Sequence, residues 1–135
     1  MAFKLSAKSK ERLAGVNPLL LDVINSALKK SKIDFGIPAL GGLRTSSEQH
    51  QLFLNGKTQL DGYKKKSSHQ SGNAFDVFAY VDGRASWDER HLTHIATAIL
   101  AAASEKGIAI MWGGHWRNFV DMPHFELLPI ELSEG

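Results

Sequence analysis

The chain of 135 residues contains no cysteine. Disulfides, thiolate metal sites and a cysteine nucleophile are therefore excluded, and any metal site must be built from His, Asp and Glu. Net charge is nearly absent as well, because 16 basic against 14 acidic residues leave only +2 at pH 7. So balanced a chain carries no basic stripe, and nucleic acid is not an expected partner. Long apolar runs are missing. Nothing approaches the roughly 20 apolar residues of a membrane span, and the basic N-terminus MAFKLSAKSKERLAG lacks the apolar segment of a signal peptide. A soluble chain held in the cytoplasm, with no membrane insertion, is expected. There are no repeats, linkers or low-complexity segments, and at 43% hydrophobic residues the length suits one core, so residues 1–135 are read as a single domain.

What is present reads as a compact mixed fold. In VNPLLLDVINSALKKS, Asn17 is a helix cap, Pro18 the first helical residue, and Leu20, Ile24, Ala27 and Leu28 one apolar stripe. IDFGIPAL suggests a short strand that Pro38 ends, followed by a loose Gly41-Gly42 step. SSEQHQLFLNG reads as a capped helix stopped at Asn55-Gly56, and residues 57–71 as a long polar surface loop. A strand over 74–81 closes in an Asp82-Gly83 turn. Ser86 is expected to cap the helix WDERHLTHIATAILAAASEK, which Gly107 stops. Strands IAIMW and HFELL follow, separated by GGHWRNFVDMP. About three helices and four short, mostly antiparallel strands make an α+β fold.

Within that pattern two polar residues stand where packing prefers hydrophobes. Asp76 interrupts the run Ala74-Phe75-Asp76-Val77-Phe78, and both faces of a strand there are otherwise apolar. A partly buried carboxylate needs a cation, a set of donors or a metal, since burying it alone costs several kcal/mol or more. His124 likewise opens an apolar strand. His69, Asp76 and His124 together would supply three N/O ligands and leave a fourth position for water, the usual form of a catalytic zinc site. A hydrolase also needs a residue to move a proton. Asp121, three residues before His124 with the stiffening Pro123 between them, is the best candidate. Arg44, after its Gly-rich step, would hold a substrate carboxylate or steady a developing oxyanion.

The motif Ser67-x-His69-x-x-Gly72-x-Ala74-x-Asp76, followed by Asp121-x-x-His124, resembles the signature of the zinc peptidases that cleave cell-wall peptides containing D-amino acids. That group comprises the D-Ala-D-Ala dipeptidases and carboxypeptidases and the phage L-alanyl-D-glutamate endopeptidases. With GGLRTSSEQ and MWGGHW the likeness spans about residues 36 to 128. The resemblance implies a small antiparallel sheet with helices, shared with the hedgehog signalling domain, and one zinc held by His69, Asp76 and His124. It makes Asp121 the catalytic acid/base and Arg44 the contact to substrate or transition state. It also implies a phage endolysin that acts as a monomer. Such an enzyme waits in the host cytoplasm until the membrane is opened, then cuts the L-Ala-D-Glu bond of the peptidoglycan stem. Two other functions remain open: cleavage at the D-Ala-D-Ala end, and a hedgehog-like domain that binds zinc without catalysis. Against the last stands Asp121, which a pure binder does not need. One departure is His115 in WGGHW, where the endolysin relatives usually carry Asp.

The remaining polar residues read more plainly. His50, His91 and His94 sit in helical patterns with polar neighbours and are expected at the surface. Lys64-Lys65-Lys66 reads as a solvated loop. Glu126 shares the strand face of His124, as an acceptor for a ligand imidazole or as an ordinary exposed acid. Trp112 and Trp116 are cleft wall or core.

Overall fold

The structure, a computed structural model, describes residues 3–118 and 120–128. Four α-helices run over Ala7–Arg12 (α1), Pro18–Lys30 (α2), Ser46–Leu54 (α3) and Glu89–Lys106 (α4). Six short strands span Asp34–Gly36 (β1), Ala74–Asp76 (β2), Phe78–Val81 (β3), Arg84–Ser86 (β4), Ile110–Trp112 (β5) and His124–Leu127 (β6). They form two three-stranded antiparallel sheets, ordered β1-β3-β4 and β2-β6-β5. The α+β class and the antiparallel pairing match the sequence reading; the division into two sheets does not.

That division falls inside the stretch read as one strand. Residues 74–81 divide at Val77, whose backbone N–H makes the last bond in register with β6, donating to the Pro123 carbonyl at 3.0 Å; Pro123 has no N–H to return, and the pairing ends there. β2 therefore pairs with β6, while β3 turns to β1. The hairpin that follows adds β4, absent from the sequence reading, through Asp82 and Gly83, both at positive φ as an Asp-Gly hairpin turn requires. Ser86 does not cap α4. Asp88 does, accepting from the Arg90 backbone N–H, while Ser86 accepts from the Asp88 N–H and bonds His91 at 2.7 Å. α1 is a further helix beyond the expected three, short and mostly exposed, capped by Ser6.

The core lies between the helices and the sheets. Leu20, Val23, Ile24 and Ala27 of α2 and Ile95, Ile99 and Ala102 of α4 are sealed from solvent, and the two helices pack on each other. At about 1.5–3 kcal/mol per buried large aliphatic side chain, this helix pair contributes strongly to the stability of the fold. α2 begins as the sequence predicts, with the Asn17 side chain accepting from the Leu19 N–H and Pro18 in the first turn. Phe75 and Phe125, opposite each other across β2 and β6, stack at 5.3 Å on the core side. Strand alternation then sends their neighbours to the other face.

Candidate metal centre and active site

Register alone makes the first pair of site residues. Asp76 and His124 are direct partners across the β2–β6 ladder, so their side chains share the face opposite the Phe75–Phe125 stack. His69 arrives from a single 3-10 turn, Ser68–Ser71, capped by Ser67 and Gln70 in a reciprocal capping box. Gly72 ends that turn at φ +77°, and a Cβ there would meet the Gly15 carbonyl at 2.6 Å. Only glycine fits both constraints. His69 and His124 are buried, and the Asp76 side chain is 18% exposed.

His69 Nε2, Asp76 Oδ1 and His124 Nδ1 converge. The two ring nitrogens are 3.1 Å apart, and each lies 3.2 Å from the carboxylate oxygen. The outer ring nitrogens fix the tautomers. His69 Nδ1–H donates to the Gly42 carbonyl at 2.9 Å, and His124 Nε2–H donates to Glu126 Oε1 at 2.7 Å. In its neutral form each imidazole thus turns a bare lone pair toward the other and toward a carboxylate, and without a metal a proton on the ring takes the cation's place. Three acceptors that close repel one another unless a cation sits among them. These three residues form a group able to hold a metal ion. Tetrahedral bonds of about 2.0 Å to N and O ligands would hold their donor atoms roughly 3.3 Å apart, so the spacing fits zinc.

Protonation follows the same logic. Burial alone would raise the Asp76 pKa, yet hydrogen bonds from His124 and His69 outweigh it and hold the carboxylate well below its ordinary range. Burial likewise works against charge on His124. Its bonds to Asp76 and Glu126 prevail and push the imidazole up to about 9 without metal, a second sign that the site demands positive charge. Glu126 is lowered by His124.

Arg44 lines the cleft, as its sequence context suggested, and is also engaged by the chain itself. Its guanidinium donates to Leu40 O at 2.7 Å, to Gln49 Oε1 at 3.0 Å and to Asp76 Oδ2 at 3.1 Å. Asp76 therefore gives one oxygen to the histidines and the other to Arg44. Leu40 adopts φ +61°, a strained conformation for a leucine, at the carbonyl that receives Arg44. The Gly41-Gly42 step is buried, and its carbonyls do specific work: Gly41 O accepts the Asp76 N–H at 2.8 Å and Gly42 O accepts from His69. A Cβ on Gly42 would overlap the Arg12 carbonyl. Sequence reading passed over Gln49, a polar residue in a helical pattern. It is wholly buried and also donates to Leu60 O at 3.1 Å, tying the segment after α3 to Arg44.

His69, Asp76, His124 and Arg44 line a cleft of about 390 Å³ together with Asp121, Trp116 and Glu126. The Asp121 backbone is fixed on both sides, its N–H donating to Gly113 O at 2.9 Å and its carbonyl accepting from the His124 N–H at 3.1 Å. Burial, and then the charge of Asp76, raise its carboxyl above the ordinary range. Of the two tryptophans, Trp112 is core, bonding Met122 O through its indole N–H. Trp116 walls the cleft, its ring 5.1 Å from that of His124. His115 is exposed, packs on Trp112 and is not among the cleft residues. Lys64, Lys65 and Lys66 are exposed, as is His94, whereas His50 and His91 are half-buried through bonds to Asp61 O and Ser86.

The chain is similar to known proteins in sequence and, for one solved structure, in fold. Residues 1–128 match the family model described as phage L-alanyl-D-glutamate peptidase. The L-alanyl-D-glutamate peptidase of Escherichia phage T5 is 33% identical over 117 residues, 86% of this chain and 83% of that protein. The peptidoglycan L-alanyl-D-glutamate endopeptidase CwlK of Bacillus subtilis is 28% identical over 80% of this chain and 69% of its own. Among solved structures, the Serratia marcescens L-Ala D-Glu endopeptidase ChiX superposes with a TM-score of 0.81 at 37% identity, covering 93% of this chain and 90% of that one. With a cleft centred on two histidines and an aspartate and a family match over nearly its whole length, the chain belongs to the phage L-alanyl-D-glutamate peptidase family.

Proposed function

We propose that the protein is a zinc-dependent endopeptidase that hydrolyses the L-Ala-D-Glu bond of the peptidoglycan stem. The observation that carries this reading is the convergence of His69 Nε2, Asp76 Oδ1 and His124 Nδ1 within 3.1–3.2 Å, each imidazole presenting a lone pair. When bound, zinc supplies a Lewis acid that polarises the scissile carbonyl and acidifies water. Asp121 handles the protons. Ionised, it accepts one from the attacking water at its carboxylate and returns it to the departing nitrogen as the C–N bond breaks, leaving an L-Ala carboxylate and a D-Glu amine. A carboxyl raised by burial suits that two-way role better than an ordinary one.

Arg44 acts first through Asp76, holding the ligand carboxylate so that one oxygen faces the metal position. A guanidinium has five N–H groups, and three are engaged. The other two are available to a developing oxyanion in the cleft. Glu126 keeps the His124 tautomer in place. The biological setting we propose is lysis of the bacterial host at phage release. The chain acts there as a monomeric single catalytic domain, reaching the wall from the host cytoplasm once the membrane is opened. Among the described residues no helix is long and apolar enough to cross a membrane.

Metal analysis with activity tests the core of the reading. The purified protein is expected to carry one zinc per chain, to lose peptidoglycan hydrolysis on chelation, and to regain it with added zinc. Full activity after exhaustive chelation, or stoichiometric zinc in a His69→Ala/His124→Ala protein, would sink the site.

A further inference from the structure

The cleft residues include three acids, Asp76, Asp121 and Glu126, against only two permanent cations, Arg44 and Lys57. Arg44 is committed to Asp76. The lysine and arginine ion pairs among the described residues are Lys30–Glu105, Arg44–Asp76 and Arg90–Asp88, which leaves Lys57 with no acid of its own. It is exposed at the mouth of the cleft, and its backbone is not loose. The Lys57 N–H donates to Leu52 O at 3.0 Å, and Gln49 reaches from the interior to Thr58 Oγ1 at 3.4 Å and Leu60 O at 3.1 Å. An uncommitted ammonium thus stands on a wall braced by the same buried glutamine that holds Arg44.

The proposed substrate places an unusual demand on such a cleft. A glutamyl residue has two carboxyl groups, and only one can carry the chain onward. The residue on the departing side of the scissile bond therefore brings a free carboxylate into a cleft that already holds three. A zinc ion on the histidines and Asp76, with Arg44 on the second Asp76 oxygen, answers the acids at the reacting centre, so the new carboxylate is best met by a cation of the cleft that no acid of the chain holds.

We propose that Lys57 is a specificity residue that pairs with the free carboxylate of the glutamyl residue on the leaving side. The inference rests on the L-Ala-D-Glu reading above. A lysine suits this task because a mobile point charge can meet a carboxylate without the fixed planar geometry that Arg44 supplies to Asp76.

The test uses two synthetic stem peptides that differ only in that group, one with the free carboxylate and one with its primary amide. The zinc-loaded full chain and its Lys57→Met and Lys57→Arg variants are assayed on both. Wild type is expected to prefer the acid by about 5- to 10-fold, mainly in KM, as one partly exposed charge pair allows. High salt should shrink that preference. Lys57→Met is expected to bring the acid-to-amide ratio near one, and Lys57→Arg to restore most of it. A wild-type enzyme indifferent to amidation, or a Lys57→Met variant that keeps the wild-type ratio, overturns the assignment while leaving the endopeptidase reading intact. Cleavage of neither peptide by zinc-loaded wild type overturns both.

Discussion

Replacing Arg44 by lysine keeps a positive charge but cannot keep three acceptors. The guanidinium now serves Leu40 O, Gln49 Oε1 and Asp76 Oδ2 at once, from a side chain only 12% exposed. One ammonium on a flexible stem meets one of them well, and the acidic one is the strongest attraction. Gln49 is wholly buried, so its Oε1 is left without a donor, at a cost of about 1–3 kcal/mol. Loss of the charge-assisted bond to Leu40 O adds about 1 kcal/mol, for a total of roughly 2–4 kcal/mol. At about 3–5 °C per kcal/mol for a chain of this size, the melting temperature should fall by roughly 10 °C. Metal affinity should also fall, by about 10- to 100-fold, because Asp76 loses the partner that orients its second oxygen. Thermal unfolding of the metal-free protein and zinc titration read the two effects separately. A cycle with Gln49→Leu should show a coupling of at least 0.5 kcal/mol, since the pair shares a hydrogen bond. If Arg44→Lys melts within 2 °C of wild type (roughly the shift from half a kcal/mol) and binds zinc equally, then the network does not support the site.

Asp121→Asn in the zinc-loaded protein should lose about 10²- to 10⁴-fold in kcat with metal content retained, as measured by peptide release and metal analysis. A near-normal rate would move proton transfer to another group. Because the His124 imidazole is held at about 9 without metal, zinc binding near pH 7 must displace a proton from it. The sign follows: affinity rises with pH through that range and levels off above about 9. Calorimetry in buffers of different ionisation heat should count about one proton released at pH 7 and fewer above pH 9. Gly42→Ala should destabilise the fold by more than about 1–3 kcal/mol, since its Cβ would overlap the Arg12 backbone carbonyl and relieving the overlap by moving residue 42 shifts the Gly42 carbonyl that accepts from His69; chemical denaturation measures it.

How much of this the sequence disclosed depends on what kind of signal each feature leaves. Asp76 and His124 were legible because a polar residue inside an apolar run violates its local pattern, and such violations mark function. His69 and Asp121 were proposed from their spacing to those two, and both line the same cleft. The break at Val77 was not legible, since residues 74–81 are β-prone throughout and the pairing that divides them ends at Pro123, a residue distant in the sequence with no N–H to continue the ladder. Gln49 was hidden for the opposite reason. A glutamine among Ser, Glu and His on a short helix satisfies the pattern of an exposed face, and only the tertiary fold shows that it is sealed between Arg44 and Leu60. Arg44 was identified as a site residue, but its partner was not, because nothing in a linear reading brings residue 44 to Asp76. The Gly41-Gly42 step, read as slack, is instead the pair of carbonyls that orders two of the three candidate metal ligands.

Mass spectrometry of intact peptidoglycan digested by the zinc-loaded protein tests most directly which bond is cut. Hydrolysis between L-Ala and D-Glu yields peptides that begin with D-Glu and leaves new L-Ala carboxyl ends on the glycan strands. Release of only free D-Ala or the D-Ala-D-Ala dipeptide, with every L-Ala-D-Glu bond intact, would contradict it.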